Sequence, residues 1–158
     1  MKTWTDSENR EWNIALTIAD CRAIRATVKV ELGDATKAGE VANLINHAEK
    51  LGETLWQLSK GQAEPLGISQ DEFYRGLNGD SLQAGWKAIV EAFIDFCPPS
   101  VRETVRNAFV QFDDTMALTA KAVKASLADP AYAAELDAQI TSIVQESFRQ
   151  TLENFATA

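Results

Sequence analysis

Between Gln62 and Pro99 the chain writes out two helices together with their boundaries, and this constrains the fold more than any other stretch. Ser69, followed three residues later by Glu72, forms a capping box in which each side chain satisfies a backbone N–H left unpaired by the first helical turn. Ile68, just before the cap, is placed to staple onto Phe73, and Leu77 falls one turn further along that face. Pro65 and Gly67 stop the helix that comes before. Asn78 and Gly79 suit a left-handed turn that ends the short helix, and Asp80 with Gln83 then starts the next. That second helix carries Leu82, Trp86, Ile89, Val90, Phe93 and Phe96 on its apolar side until Pro98 and Pro99 terminate it. All of these roles are architectural, so a working surface is expected outside this stretch, on the C-terminal helices.

The N-terminal residues follow a different period. Trp12, Ile14, Leu16 and Ile18 alternate with Asn13, Ala15 and Thr17, which predicts a strand. The short run Lys2 to Thr5, containing Trp4, is separated from it by turn-forming residues from Asp6 to Arg10, and the two together predict a small β-hairpin. A hairpin alone is marginal in water, so its tryptophans must pack on helices. From about Ala19 the period becomes helical, with Ile24, Val28 and Leu32 four apart and a turn at Gly33 and Asp34. A second helical region covers Ala38 to Lys50 through Val41, Leu44, Ile45 and Ala48. Gly52 is expected to interrupt it before the helix resumes through Leu55, Trp56 and Leu58.

Past the prolines, Val101, Val105, Phe109, Phe112, Met116, Val123 and Leu127 trace one stripe of a long amphipathic helix. Asp129 then caps a last helix opened by Pro130, with Tyr132, Leu136, Ile140, Ile143, Val144, Phe148, Leu152 and Phe155 on one side. The expected fold is mainly α: a multi-helix bundle with a small N-terminal β-hairpin and a long C-terminal helical hairpin. Its two parts are a compact unit over residues 1–98 and the hairpin over 99–158, packed as one domain. At 158 residues the chain is long enough for a core without disulfides or metals.

Chemistry is harder to find. With 15 basic and 23 acidic residues, a net charge of −8, and no concentration of basic groups, nucleic acid is an unfavourable partner. The four tryptophans are not interleaved with basic residues and read as core. Cys21 and Cys97 are far apart, have only His47 as an imidazole partner, and offer no zinc spacing. They read as reduced core residues of a cytoplasmic protein, and a disulfide between them is compatible with the sequence. His47, among polar neighbours, reads as a solvated surface residue. Asp71 with Glu72 suits the first turn of a helix, and Asp113 with Asp114 a hydrated helix face. No nucleotide-loop, EF-hand or HExxH pattern is present, so no catalytic, cofactor-binding or metal-binding residue is assigned. A signal-like apolar run is missing from MKTWTDSENREWN and there are no 18 consecutive apolar residues, so neither secretion nor membrane insertion is expected.

Arg10-Glu11-Trp12, Gly67-Ile68-Ser69, Glu72-Phe73, Leu77, Gly79-Asp80, Leu82, Phe93, Asp95-Phe96 and Pro98 together resemble a group of small tailed-phage or prophage proteins. These are tail assembly chaperones and allied tail-region proteins, and the likeness covers about the first hundred residues. The resemblance implies a non-enzymatic protein that binds the helical tape-measure protein and keeps it soluble until tail-tube subunits polymerise around it. The alternative is a structural or adaptor subunit of a phage virion or another assembly.

Phe148, Leu152 and Phe155 extend an apolar stripe almost to the end of the sequence, and they are the candidate partner-binding residues. The same surface suits self-association, and docking on the preceding long helix is the structural alternative.

Overall fold

A computed structural model of the protein describes residues 2–131 and residues 134, 135, 138, 139, 141 and 142. It is mainly helical, with six helices and one two-stranded antiparallel sheet among the described residues. Strand β1 (Lys2–Thr5) pairs with β2 (Glu11–Ile14) so that Trp4 faces Trp12. The strand is shorter than the alternation suggested. Thr17 and Asp20 form a reciprocal capping box, and helix α1 (Ile18–Thr27) begins at Ile18, which is solvent-exposed. The hydrogen bonds of the cap override the period-two pattern at that point.

Helix α1 also ends sooner than expected. Lys29 has a left-handed backbone (φ 62°), after which Val30 and Leu32 enter the core from an irregular segment. Helix α2 (Ala38–Asn43) runs into a single 3₁₀ turn, Leu44–Asn46, and α3 (Ala48–Ala63) follows. The interruption lies at His47 and not at Gly52, which sits inside α3. Asn46 Nδ2 donates to Asn43 Oδ1 at 2.8 Å, and Asn43 Nδ2 lies 3.3 Å from His47 Nε2. Such polar side chains offer local alternatives to the helical hydrogen-bond ladder, whereas a lone glycine only weakens it.

Gly67, at φ 69°, ends the 3₁₀ turn Glu64–Leu66 after α3. The Ser69–Glu72 box then opens α4 (Gln70–Arg75). Glu72 N–H donates to Ser69 Oγ at 3.3 Å, and Ser69 N–H donates to Glu72 Oε2 at 2.9 Å. Helix α4 closes at Gly76, and Asn78 caps the following helix instead of ending this one. Ser81 N–H donates to Asn78 Oδ1 at 2.9 Å, and Asn78 N–H donates to Ser81 Oγ at 2.7 Å. Helix α5 (Gly79–Phe96) therefore starts before Asp80, and Leu77 lies in the connection. Helix α6 (Pro99–Leu127) begins directly at the second proline.

Residues 1–112 form one compact unit. Phe73 is fully buried at its centre, ringed by Trp12 at 5.0 Å, Trp56 at 5.3 Å, Trp4 at 6.2 Å and Tyr74 at 6.2 Å between ring centroids. The tryptophans are thus core material, as read from the sequence. Helix α5 contributes Trp86, Ile89, Phe93 and Ile94 to the core, and α6 adds Val105 and Phe109. The Gln62 side chain donates to Asn13 C=O at 2.7 Å and accepts from Asn13 N–H at 3.0 Å, so an amide takes the place of a further strand beside β2. Residues 113–158 form a second unit, which contains the remainder of α6. There Asp129 Oδ1 accepts from Ala131 N–H at 3.0 Å, as a cap ahead of Pro130 should.

Candidate interaction surface

The groups considered for chemistry from the sequence have structural placements. Cys21 and Cys97 are free and buried. Burial, reinforced by the negative charges of Asp20 and Glu31, pushes the Cys21 thiol up, and burial does the same at Cys97 against the opposing pull of Arg102. Both are poor thiolates, hence poor nucleophiles. His47 is exposed. Asp71 and Glu72 lie exposed in the first turn of α4, where hydrogen bonds from the Ser69 backbone and hydroxyl hold the Glu72 carboxyl below its ordinary range. Asp113 and Asp114 are exposed on α6. Among the described residues no group of three or more His, Cys, Asp or Glu side chains is placed to hold a metal ion. No helix among them is long and apolar enough to cross a membrane.

The apolar stripe of α6 has a structural account only along its first half. Val105 and Phe109 are buried, Phe112 is half-buried with its ring centroid 6.1 Å from that of Trp86, and Phe93 meets Phe109 edge-on at 6.0 Å. Further along, Met116, Val123 and Leu127 are 40%, 52% and 58% exposed. Residues at these spacings share one helical face, so the line that is core at its beginning is bare at its end. Val110 and Leu118 add apolar exposure away from that line. Hydrophobic periodicity shows the stripe but does not show where cover stops.

The junction between α5 and α6 is held by Arg102, whose guanidinium donates to Asp95 C=O and Cys97 C=O at 3.0 Å each. Those carbonyls belong to a helix end that lacks intrahelical partners, and a cation is favoured there. Arg106 adds a contact of 3.7 Å to Glu91. The first turns of α6 are thereby fastened to the end of α5.

Phe148, Leu152 and Phe155 lie outside the described residues, as do Tyr132, Leu136, Ile140, Ile143 and Val144. No protein-family model matches the chain, no curated protein matches it, and no solved structure matches it.

Proposed function

We propose that the protein is a non-enzymatic tail assembly chaperone of the tailed-phage kind. In this reading it holds the helical tape-measure protein in the host bacterial cytoplasm until tail-tube subunits enclose that partner. The observation that carries the reading is the bare face of α6 at Met116, Val123 and Leu127. An apolar helix face with the period of a core is suited to receiving another amphipathic helix. Covering it releases about 25 cal/mol for each Å² of apolar surface removed from water. The interaction would therefore be reversible when the contact is small, as a holding role requires. Support also comes from the capped helices between Gly67 and Pro98, which carry the resemblance to tail assembly chaperones. Phe148, Leu152 and Phe155 are further candidate partner-binding residues, read from the sequence alone.

Co-expression with the tape-measure protein of the same phage or prophage, followed by affinity purification, tests the reading. A stable complex is expected. It should be lost with Met116→Asp and Val123→Asp together, or with Phe148→Asp and Leu152→Asp together. No complex with the unaltered chain would overturn the proposal. Mass spectrometry of finished particles then separates a chaperone, which leaves, from a structural or adaptor subunit, which stays.

A further inference from the structure

An apolar concavity of about 440 Å³ opens between α3, α4 and the start of α5. Its floor is made by Gly52, Leu77 and Leu82, and Tyr74 stands at one side. Gly52 is what keeps the floor low: a Cβ there would lie 3.4 Å from Leu77 Cδ1, and any larger side chain would project into the space. Placing a glycine inside a helix costs about 1 kcal/mol relative to alanine, and no backbone requirement at Gly52 offsets that cost, since its φ is not positive. The tip of Tyr74 is engaged, its hydroxyl accepting from Gln70 Nε2 at 2.6 Å, which leaves the ring as a fixed wall.

The rim has one sign of charge. Glu49 and Glu53 stand one helical turn apart on α3, both line the concavity, and neither is in an ion pair among the described residues. No basic side chain lines it among the described residues. Carboxylates four residues apart on a helix are about 5–6 Å apart at their Cβ atoms, the same interval at which a partner helix repeats its own side chains along one face. An apolar floor bounded by such a pair is complementary to a helix that presents aliphatic side chains beside a row of Lys or Arg.

We propose that this groove docks a basic amphipathic helix of a partner protein, its aliphatic side chains on Gly52, Leu77 and Leu82 and its cations on Glu49 and Glu53. The proposal rests on the helix-binding reading above only for the choice of a helix as occupant. It adds the chemistry of the partner and a place of contact separate from the bare face of α6.

The test uses the full chain, ¹⁵N-labelled, titrated with a synthetic amphipathic peptide of about 18 residues, long enough to form helix, with leucines on one face and lysines beside them. Amide shifts should concentrate at Gly52, Tyr74, Leu77 and Leu82. The same peptide with glutamates for lysines should bind about tenfold more weakly or worse, and so should the Glu49→Lys/Glu53→Lys protein with the lysine peptide. Gly52→Leu should abolish the groove shifts by filling the floor. Because that substitution could disturb packing against Leu77, the rim double variant, which leaves the floor untouched, carries the decision. Shifts absent from the groove, shifts confined to Met116–Leu127, or binding indifferent to both charge reversals would overturn the proposal. Co-purification of the tape-measure protein despite any of these results would leave the chaperone reading standing, so the two failures are distinguishable.

Discussion

The carboxylate of Asp6 accepts a 2.9 Å hydrogen bond from the indole N–H of Trp12 inside the protein, and this pair fastens the loop between the strands to β2. The same carboxylate accepts from Glu8 N–H at 2.9 Å, from Arg10 N–H at 3.0 Å and from Arg10 Nε at 2.7 Å. Arg10 in turn lies 5.8 Å over the Trp12 ring and donates to Glu72 C=O at 3.3 Å. Ser7 donates to Gly76 C=O through both its N–H (2.9 Å) and its hydroxyl (2.8 Å), so the loop between the strands is tied to the end of α4.

Removing this acceptor should therefore be costly. Asp6→Ala leaves the buried Trp12 N–H without a partner and the Arg10 charge without its counter-ion, a situation worth roughly 3 kcal/mol. Urea denaturation should show a lower midpoint with an unchanged slope. A loss below about 1 kcal/mol would mean that water replaces the carboxylate, contrary to its burial.

The pH dependence of stability follows from the same group. Burial alone would raise the Asp6 pKa, but the hydrogen bonds from Trp12, from the Arg10 backbone and from the Arg10 side chain, with its charge, outweigh it and leave the pKa lowered. A lowered carboxyl pKa in the folded state contributes stability that is fully present above the unfolded value, about 4, and is lost as pH falls through the folded value. The protein should hold its stability down to about pH 5 and lose it on further acidification, and the gap between it and Asp6→Asn should narrow over that range. Denaturation midpoints from neutral pH to about pH 2 measure this. A gap that widens in acid would contradict the assignment.

Two glycines should respond to alanine in opposite directions. A Cβ on Gly85 of α5 would lie 2.6 Å from Leu55 Cδ1 and 2.8 Å from Leu55 Cδ2, and Leu55 is itself fully buried. Gly85→Ala should destabilise by about 1–2 kcal/mol, the overpacking exceeding the gain in helix propensity. Gly61 of α3 has open space around its Cβ position, so Gly61→Ala should stabilise by about 0.4–1 kcal/mol. Thermal melts of the pair decide it, and a shift of the same sign in both would refute the close contact of α5 on α3 at Gly85.

The bare face of α6 should be dispensable for folding. Met116 and Val123 are exposed, so Met116→Asp and Val123→Asp should each change stability by no more than about 0.5 kcal/mol. Phe109→Ala on the same stripe should cost about 3–5 kcal/mol, because that ring is buried against Phe93. Chemical denaturation of the three variants checks the division, and equal losses at positions 109 and 123 would show that the stripe is covered throughout.

Local chemistry was legible where the partners lie within a turn of each other. Ser69 and Glu72 were readable as a capping box because the motif needs only four residues, and the proline stops at both ends of the central stretch were readable for the same reason. Thr17 with Asp20 is an equally local box, but the alternation of Trp12, Ile14, Leu16 and Ile18 ran across it and masked it. Asn78 reads as a helix end because the following Gly79 suits a left-handed turn, yet its side chain caps the helix that begins there. In both cases two local signals competed, and the hydrogen bonds of the cap prevailed.

What the sequence by itself determined is the order of the helices up to Leu127, the aromatic core and the single long stripe of α6, because period and capping act between neighbours along the chain. Only the tertiary structure decided that Asp6 gathers four donors, that Gly52 forms the floor of an acid-rimmed groove, and that the stripe is core at Phe109 and bare at Val123. Burial depends on which distant surfaces meet. The same apolar side chain at the same helical spacing is therefore core or contact surface according to neighbours that no local pattern encodes.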